Sequence, residues 1–242
     1  MKKKEEKNRK KPRRIGIYAP IEHRYYIFSE GEETEPNYIN GFKESIESNP
    51  IYQHIVYIHC EGTGRETLNV VKEAEKYVSQ KKLTSGEIWC LFDKDSFPPE
   101  QFNAACERIE KLNMEGGSLR YHAGWSNECF EYWFVLHFSN YTTNSTRKEY
   151  FENLNRIFRR KLKKDYSKND IKIWKELQEI GSPKNAIKYA QKQMEHFAGC
   201  KADQCAPATQ VFLLVSELAR YLPTEFRINF IDLEGGEIDE NV

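Results

Sequence analysis

The chain has 242 residues, with 37 Lys and Arg against 37 Asp and Glu, 39% hydrophobic and 31% charged residues. That length holds one sizeable core with room for an appended subdomain, and the even charge balance points to no partner by itself. No apolar run approaches the roughly 18 residues a membrane span needs, and no apolar stretch follows the basic start as in a secretory leader, so a cytoplasmic protein without a membrane partner is expected.

In chain order, residues 1–24 open as MKKKEEKNRKKPRR, a basic arm expected to be flexible, or else to follow a phosphate backbone. The first strand is expected at 25–29, YYIFS, from its aromatic and β-branched content. It runs directly into EGEETEPNY, where Glu30, Glu32, Glu33 and Glu35 surround Gly31. Thr34 is read as the cap of a helix with Pro36 in its first turn. No cation lies within that stretch, so its counter-ion is expected from outside the chain.

Further strands are expected at 54–60 (HIVYIHC), 87–92 (EIWCLF) and 119–123 (LRYHA). Between the second and third, GTGRETLNVVKEAEKYV reads as a helix started by a Thr63 and Glu66 capping box rather than as a phosphate loop, because it lacks the Lys-Ser/Thr ending. Alternating strands and helices define a small, mostly parallel four-stranded α/β sheet over residues 25–140, with helices on both faces. Ligands of such sheets bind at the carboxyl ends of the strands.

From residue 126 the pattern becomes helical. NECFEYWFVLHF is expected to start at a Ser126 cap, with Glu128 and Glu131 on one helical face. A basic helix follows around RKEYFENLNRIFRRKLKK, then SPKNAIKYAQKQMEHF starting at Ser182 and Pro183, then ATQVFLLVSELARYL. Residues 163–180 are read as a mobile insertion or a further helix. These segments form a helical extension over 141–225, and 226–242 is expected to be an acidic tail. The six cysteines lack a disulfide-framework spacing and are read as reduced, packed thiols; His196, Cys200 and Cys205 lack the CxxC pair of a zinc site. His122 and His137 lie in apolar runs and are read as core residues.

The acids carry the functional reading. Strand one hands over Glu30, and strand three hands over Asp93, Lys94 and Asp95. Residues two apart share one side of an extended chain, so Asp93 and Asp95 are expected to point together if strand geometry persists. If the two strands are parallel neighbours, Glu30 joins them. Three carboxylates in one volume repel one another unless a cation is present, and a hard divalent ion held by oxygen is the expected partner.

Glu-Gly after strand one and Asp-x-Asp after strand three resemble the layout of the Toprim domain of topoisomerases, primases and OLD-family nucleases. More closely, EGEETEPNY, IWCLFDKDSF, SNECFEYWFVLHF and PATQVFLLVSEL resemble, in order, the blocks of the RloB family. One departure is Glu128, where a proline is expected before Cys-Phe-Glu. The resemblance implies a Toprim-like sheet with a helical extension and a Mg²⁺ or Mn²⁺ site at Glu30, Glu35, Asp93 and Asp95. It also implies a role in prokaryotic anti-phage defence and an ABC-type ATPase as partner. The activity expected is metal-dependent hydrolysis of DNA or RNA, with Glu30, Asp93, Asp95 and Glu131 as catalytic residues. Arg65, Lys94, Arg159 and Arg160 are expected to contact the nucleic acid. The rival expectation is a noncatalytic interaction or sensor subunit of that ATPase.

Overall fold

The computed structural model describes residues 21–95 and 98–231. Strands β1 (His23–Ser29), β2 (Val56–Gly62), β3 (Ser85–Leu91) and β4 (Ser118–Ala123) form one sheet in the order β2-β1-β3-β4. Every pairing is parallel, with Tyr25 opposite both Ile58 and Glu87. Helices α1 (Thr34–Glu47), α2 (Thr67–Lys81) and α3 (Pro99–Met114) make the crossovers.

Alternation along β1 divides the core in two. Tyr25 and Ile27 pack with Tyr38, Ile39 and Phe42 of α1 on one face, while Tyr26 and Phe28 meet Val70 and Val71 of α2 and Phe102 of α3 on the other. Because both faces are covered, the inner parts of the central strands, residues 25–28 of β1 and 88–91 of β3, are buried and apolar in succession rather than alternating with polar residues.

The helical region packs on the α1 face. Helix α4 (Glu131–Leu136) is buried over its whole length, as expected of a helix apolar on all sides, and lies against α5 (Arg147–Leu162) and α7 (Pro183–His196). Ser182 caps α7 by accepting from the Asn185 N–H, as the Ser-Pro pair predicts. Residues 163–180 are ordered into the structure, not a mobile insertion: α6 (Ile173–Ile180) buries Trp174 against Phe42 and Phe230. Helix α8 (Val211–Ala219) is followed by α9 (Thr224–Arg227), and Phe230 is only 2% exposed, so the start of the expected acidic tail belongs to the core.

Two expected caps are corrected. Ser126 begins no helix; Ser126 and Asn127 form β5, antiparallel to β6 (Ala208–Thr209), and the Ser126 hydroxyl bonds Thr209 at 2.9 Å. Helix α4 accordingly starts at Glu131, and Glu128 lies outside it. Thr63 likewise caps nothing, since α2 begins four residues later; its hydroxyl donates to the Ser29 carbonyl and ties the β2–α2 loop to the end of β1. Helix α1 does start at Thr34, but no side chain caps it.

Among the described residues all six cysteines are free thiols, with Cys200 exposed rather than packed. Most of the basic arm and most of the acidic tail lie outside the described residues; His23 and Arg24, placed in the arm by sequence, open β1.

Candidate functional site

The sheet delivers its acids to one edge. Glu30 N donates to the Leu91 carbonyl at 2.9 Å, carrying the β1–β3 ladder one residue past β1. Asp93 bridges to Ser126, whose N–H donates to Phe92 and whose carbonyl accepts from Lys94. Glu30 and Asp93 therefore leave neighbouring parallel strands together, and Glu30 Oε2 accepts from Thr67 N at 3.1 Å and Asp93 N at 3.5 Å. Thr67 opens α2, so the Glu30 carboxylate lies where a helix N-terminus favours negative charge.

The turn after β1 depends on two glycines. Gly31 N donates to Glu35 Oε1 at 3.2 Å, and a side chain at Gly31 would collide with that carboxylate. A Cβ on Gly62, at the end of β2, would meet Glu32 Cα and the Gly31 carbonyl, both at 2.6 Å. Backbone cannot yield there as a flexible side chain can. Gly62→Ala is therefore expected to destabilise the protein by about 1–3 kcal/mol and to displace the Glu30 to Glu35 turn, measured as a lower denaturation midpoint; an unchanged midpoint would show that the turn is not clamped.

The other acids arrive by different routes. Glu131, the first residue of α4, is 2% exposed and is met by Lys168 Nζ at 3.1 Å and Tyr166 Oη at 3.4 Å. Asp95 corrects the expected alternation. Its φ is +46°, in the left-handed region, so strand geometry does not persist through the DxD. The two aspartates converge instead on Arg147 Nη2, 2.9 Å from Asp93 Oδ2 and 2.6 Å from Asp95 Oδ2. Glu32 and Glu33 are exposed at the rim.

A cavity of about 250 Å³ lies among these groups, lined by Glu30, Glu35, Asp93, Glu131, Arg147 and Lys168 together with the turn after β1. Burial, reinforced by Glu131 and Glu30, pushes the Glu35 carboxyl up to about 7. Burial and the charges of Glu35 and Glu131 raise Asp93 well above the carboxylate range despite Arg147. Glu30 and Asp95 are raised too, burial being the first cause for both. Arg147 and Lys168 thus supply counter-ions from within the chain, contrary to expectation, yet leave the site with excess negative charge.

In donor chemistry these residues fit a hard divalent cation, since every candidate ligand is a carboxylate oxygen. In arrangement they are not closed around one: among the described residues no three His, Cys, Asp or Glu side chains are grouped to hold a metal ion. Asp93 and Asp95 face Arg147, and Glu131 faces Lys168. Taking up an ion at Glu30, Asp93 and Asp95, with Glu35 and Glu131 beside it, requires those ion pairs to open.

The expected nucleic-acid contacts are dispersed. Lys94 Nζ donates to the Asp95 carbonyl, and Arg65 is exposed on the loop that leads to Thr67. Arg159 and Arg160 border a separate depression on α5, with Arg159 paired to Asp165. Sequence reasoning missed Arg147, Lys168 and Tyr166. Arg147 carries one local signal: it is the first residue of a helix capped by Thr146 and Glu149, a position where positive charge opposes the helix dipole and so needs another reason to be there.

Fold and site together define an α/β protein with an acidic centre at the carboxyl edge of its two central strands. A family model described as RloB-like protein matches residues 25–218, and the chain belongs to that family. No curated protein and no solved structure matches it.

Proposed function

We propose that the chain is a nuclease that hydrolyses phosphodiester bonds of DNA or RNA with the help of Mg²⁺ or Mn²⁺. The observation that carries this reading is the convergence of Glu30, Glu35, Asp93 and Glu131 from three separate stretches of chain on one cavity, with Asp95 joined to it through Arg147, and with protonation of four of the five acids pushed upward. A fold does not keep so much like charge together for stability, and perturbed carboxyls in a cleft mark functional sites. A divalent ion bound there would activate water and stabilise the charge developing on the phosphate.

The chain's own residues have distinct parts. Asp93, Asp95 and Glu30 would hold the ion, and Glu35, buried beside them, would give up its proton as the ion binds and then stand ready to accept one from an attacking water. Lys94 and Arg147 lie beside the aspartates and can pair with substrate phosphate. A role in anti-phage defence and an ABC-type ATPase partner, both implied by the family resemblance, complete the proposal, as does the cytoplasmic location expected from the sequence. Among the described residues no helix is long and apolar enough to cross a membrane.

One observation favours the noncatalytic alternative: the aspartates already have a cation in Arg147. Incubation of duplex DNA, single-stranded DNA and structured RNA with the protein, in Mg²⁺ or Mn²⁺ and in chelator, separates the two. Cleavage that needs the ion and disappears in an Asp93→Ala, Asp95→Ala double variant is expected. Absence of cleavage of every substrate, or cleavage indifferent to chelator and to the double change, would contradict the nuclease.

A further inference from the structure

The two cations that form ion pairs with the acids lining the site, Arg147 and Lys168, come from the helical region rather than from the sheet. Lys168 lies between α5 and α6, and its partner Glu131 is buried, fixing one ion pair deep in the site. Arg147 is placed differently. A single nitrogen, Nη2, meets both aspartates, while its Nε is buried without a hydrogen-bond partner and its side chain is 38% exposed. Its position in the first turn of α5 gives the charge no support from the helix dipole, so the two carboxylates hold it there.

We propose that Arg147 is a displaceable counter-ion: a divalent cation entering at Asp93 and Asp95 releases its guanidinium, which then binds a phosphate of the nucleic acid. This rests on the functional reading above and adds to it the exchange by which Arg147 passes from the aspartates to the substrate. The exchange is charge-balanced, since the aspartates trade one cation for another and the freed guanidinium gains an anionic partner. Its planar fork of donors, including the unpartnered Nε, suits phosphate oxygens better than a lysine ammonium would. The aspartates cannot serve both cations, because Arg147 occupies the space between them. Metal uptake and arginine pairing are therefore competitive, and substrate binding through Arg147 requires the metal to be in place.

Mn²⁺ titration by calorimetry tests the competition, and binding of a short fluorescent oligonucleotide in Ca²⁺ tests the second half. Arg147→Met should bind Mn²⁺ at least about tenfold more tightly than wild type, because a like charge between the ligands is gone. It should bind the oligonucleotide about tenfold more weakly. Arg147→Lys keeps the charge and should retain near wild-type Mn²⁺ affinity while losing oligonucleotide affinity; it also carries the test if the methionine variant does not fold, since a lysine variant with wild-type oligonucleotide affinity contradicts the phosphate role. Unchanged or weaker Mn²⁺ binding by a folded Arg147→Met would overturn the proposal and leave the metal site standing. If wild type takes up no Mn²⁺, the functional reading fails along with it.

Discussion

Asp93→Asn should lower the rate of nucleic-acid cleavage by about a thousandfold or more, equivalent to roughly 4 kcal/mol of barrier. Asp93 has this weight because it is central: its N–H reaches Glu30, its carboxylate meets Arg147, and the charges of Glu35 and Glu131 act on it. Asparagine keeps the shape and removes the charge that holds the ion. The fold should survive, since a buried carboxylate whose protonation is pushed upward is a cost to stability when ionised. Single-turnover cleavage at saturating Mg²⁺, alongside a melting curve, checks both halves; a folded Asp93→Asn protein with full activity would remove Asp93 from the mechanism.

The second large effect is on stability and runs against the usual direction for carboxylates. Glu35 moves from an ordinary 4.5 to about 7 on folding, so between those values the folded chain holds a proton that the unfolded chain has released. Stability then falls as pH rises, the slope being negative wherever the folded state binds more protons. Below about 4.5 the group is neutral in both states, and above about 7 the loss is complete, on the order of 3 kcal/mol. His137 acts in the opposite sense: burial pushes its ring down to about 4, so its contribution is lost as pH falls below 6.5. Comparing wild type with Glu35→Gln cancels that term. The glutamine variant should melt roughly 5–10 °C above wild type at pH 8 and level with it near pH 4, in chelator. A constant offset across that range would show that Glu35 is not held against its charge.

The parts of the molecule that were legible in sequence are those whose cause is local. An aromatic run marks β1, a Ser-Pro pair marks the start of α7, and acids directly after β1 and β3 mark the edge where parallel strands end. Where the deciding partner is distant, the local signal misleads. Ser126 and Thr63 look like caps, but their hydroxyls bond residues 83 and 34 positions away: Ser126 joins the β5–β6 pair, and Thr63 ties the β2–α2 loop to the end of β1. The alternation that should align Asp93 with Asp95 stops at the left-handed backbone of Asp95, which nothing in DKD announces. The glutamates after β1 seemed to need a counter-ion from outside. Arg147 and Lys168 neutralise part of the same acidic edge by pairing with Asp93, Asp95 and Glu131, and Arg147 acts on Glu30 through space; these pairings are visible only once α4 and α5 are packed together. What remains is the excess charge that the proposed cation would neutralise.

That excess charge gives the most direct measurement. Calorimetric titration of the metal-free protein with Mn²⁺ near pH 6.5, repeated in buffers of different ionisation enthalpy, counts the protons released per ion bound. The account predicts saturable binding that releases protons, because Glu35, pushed up to about 7, is largely protonated at that pH, and loss of that binding in Asp93→Asn. Saturable binding without proton release, unchanged in Asp93→Asn, would place the ion somewhere other than this acidic edge.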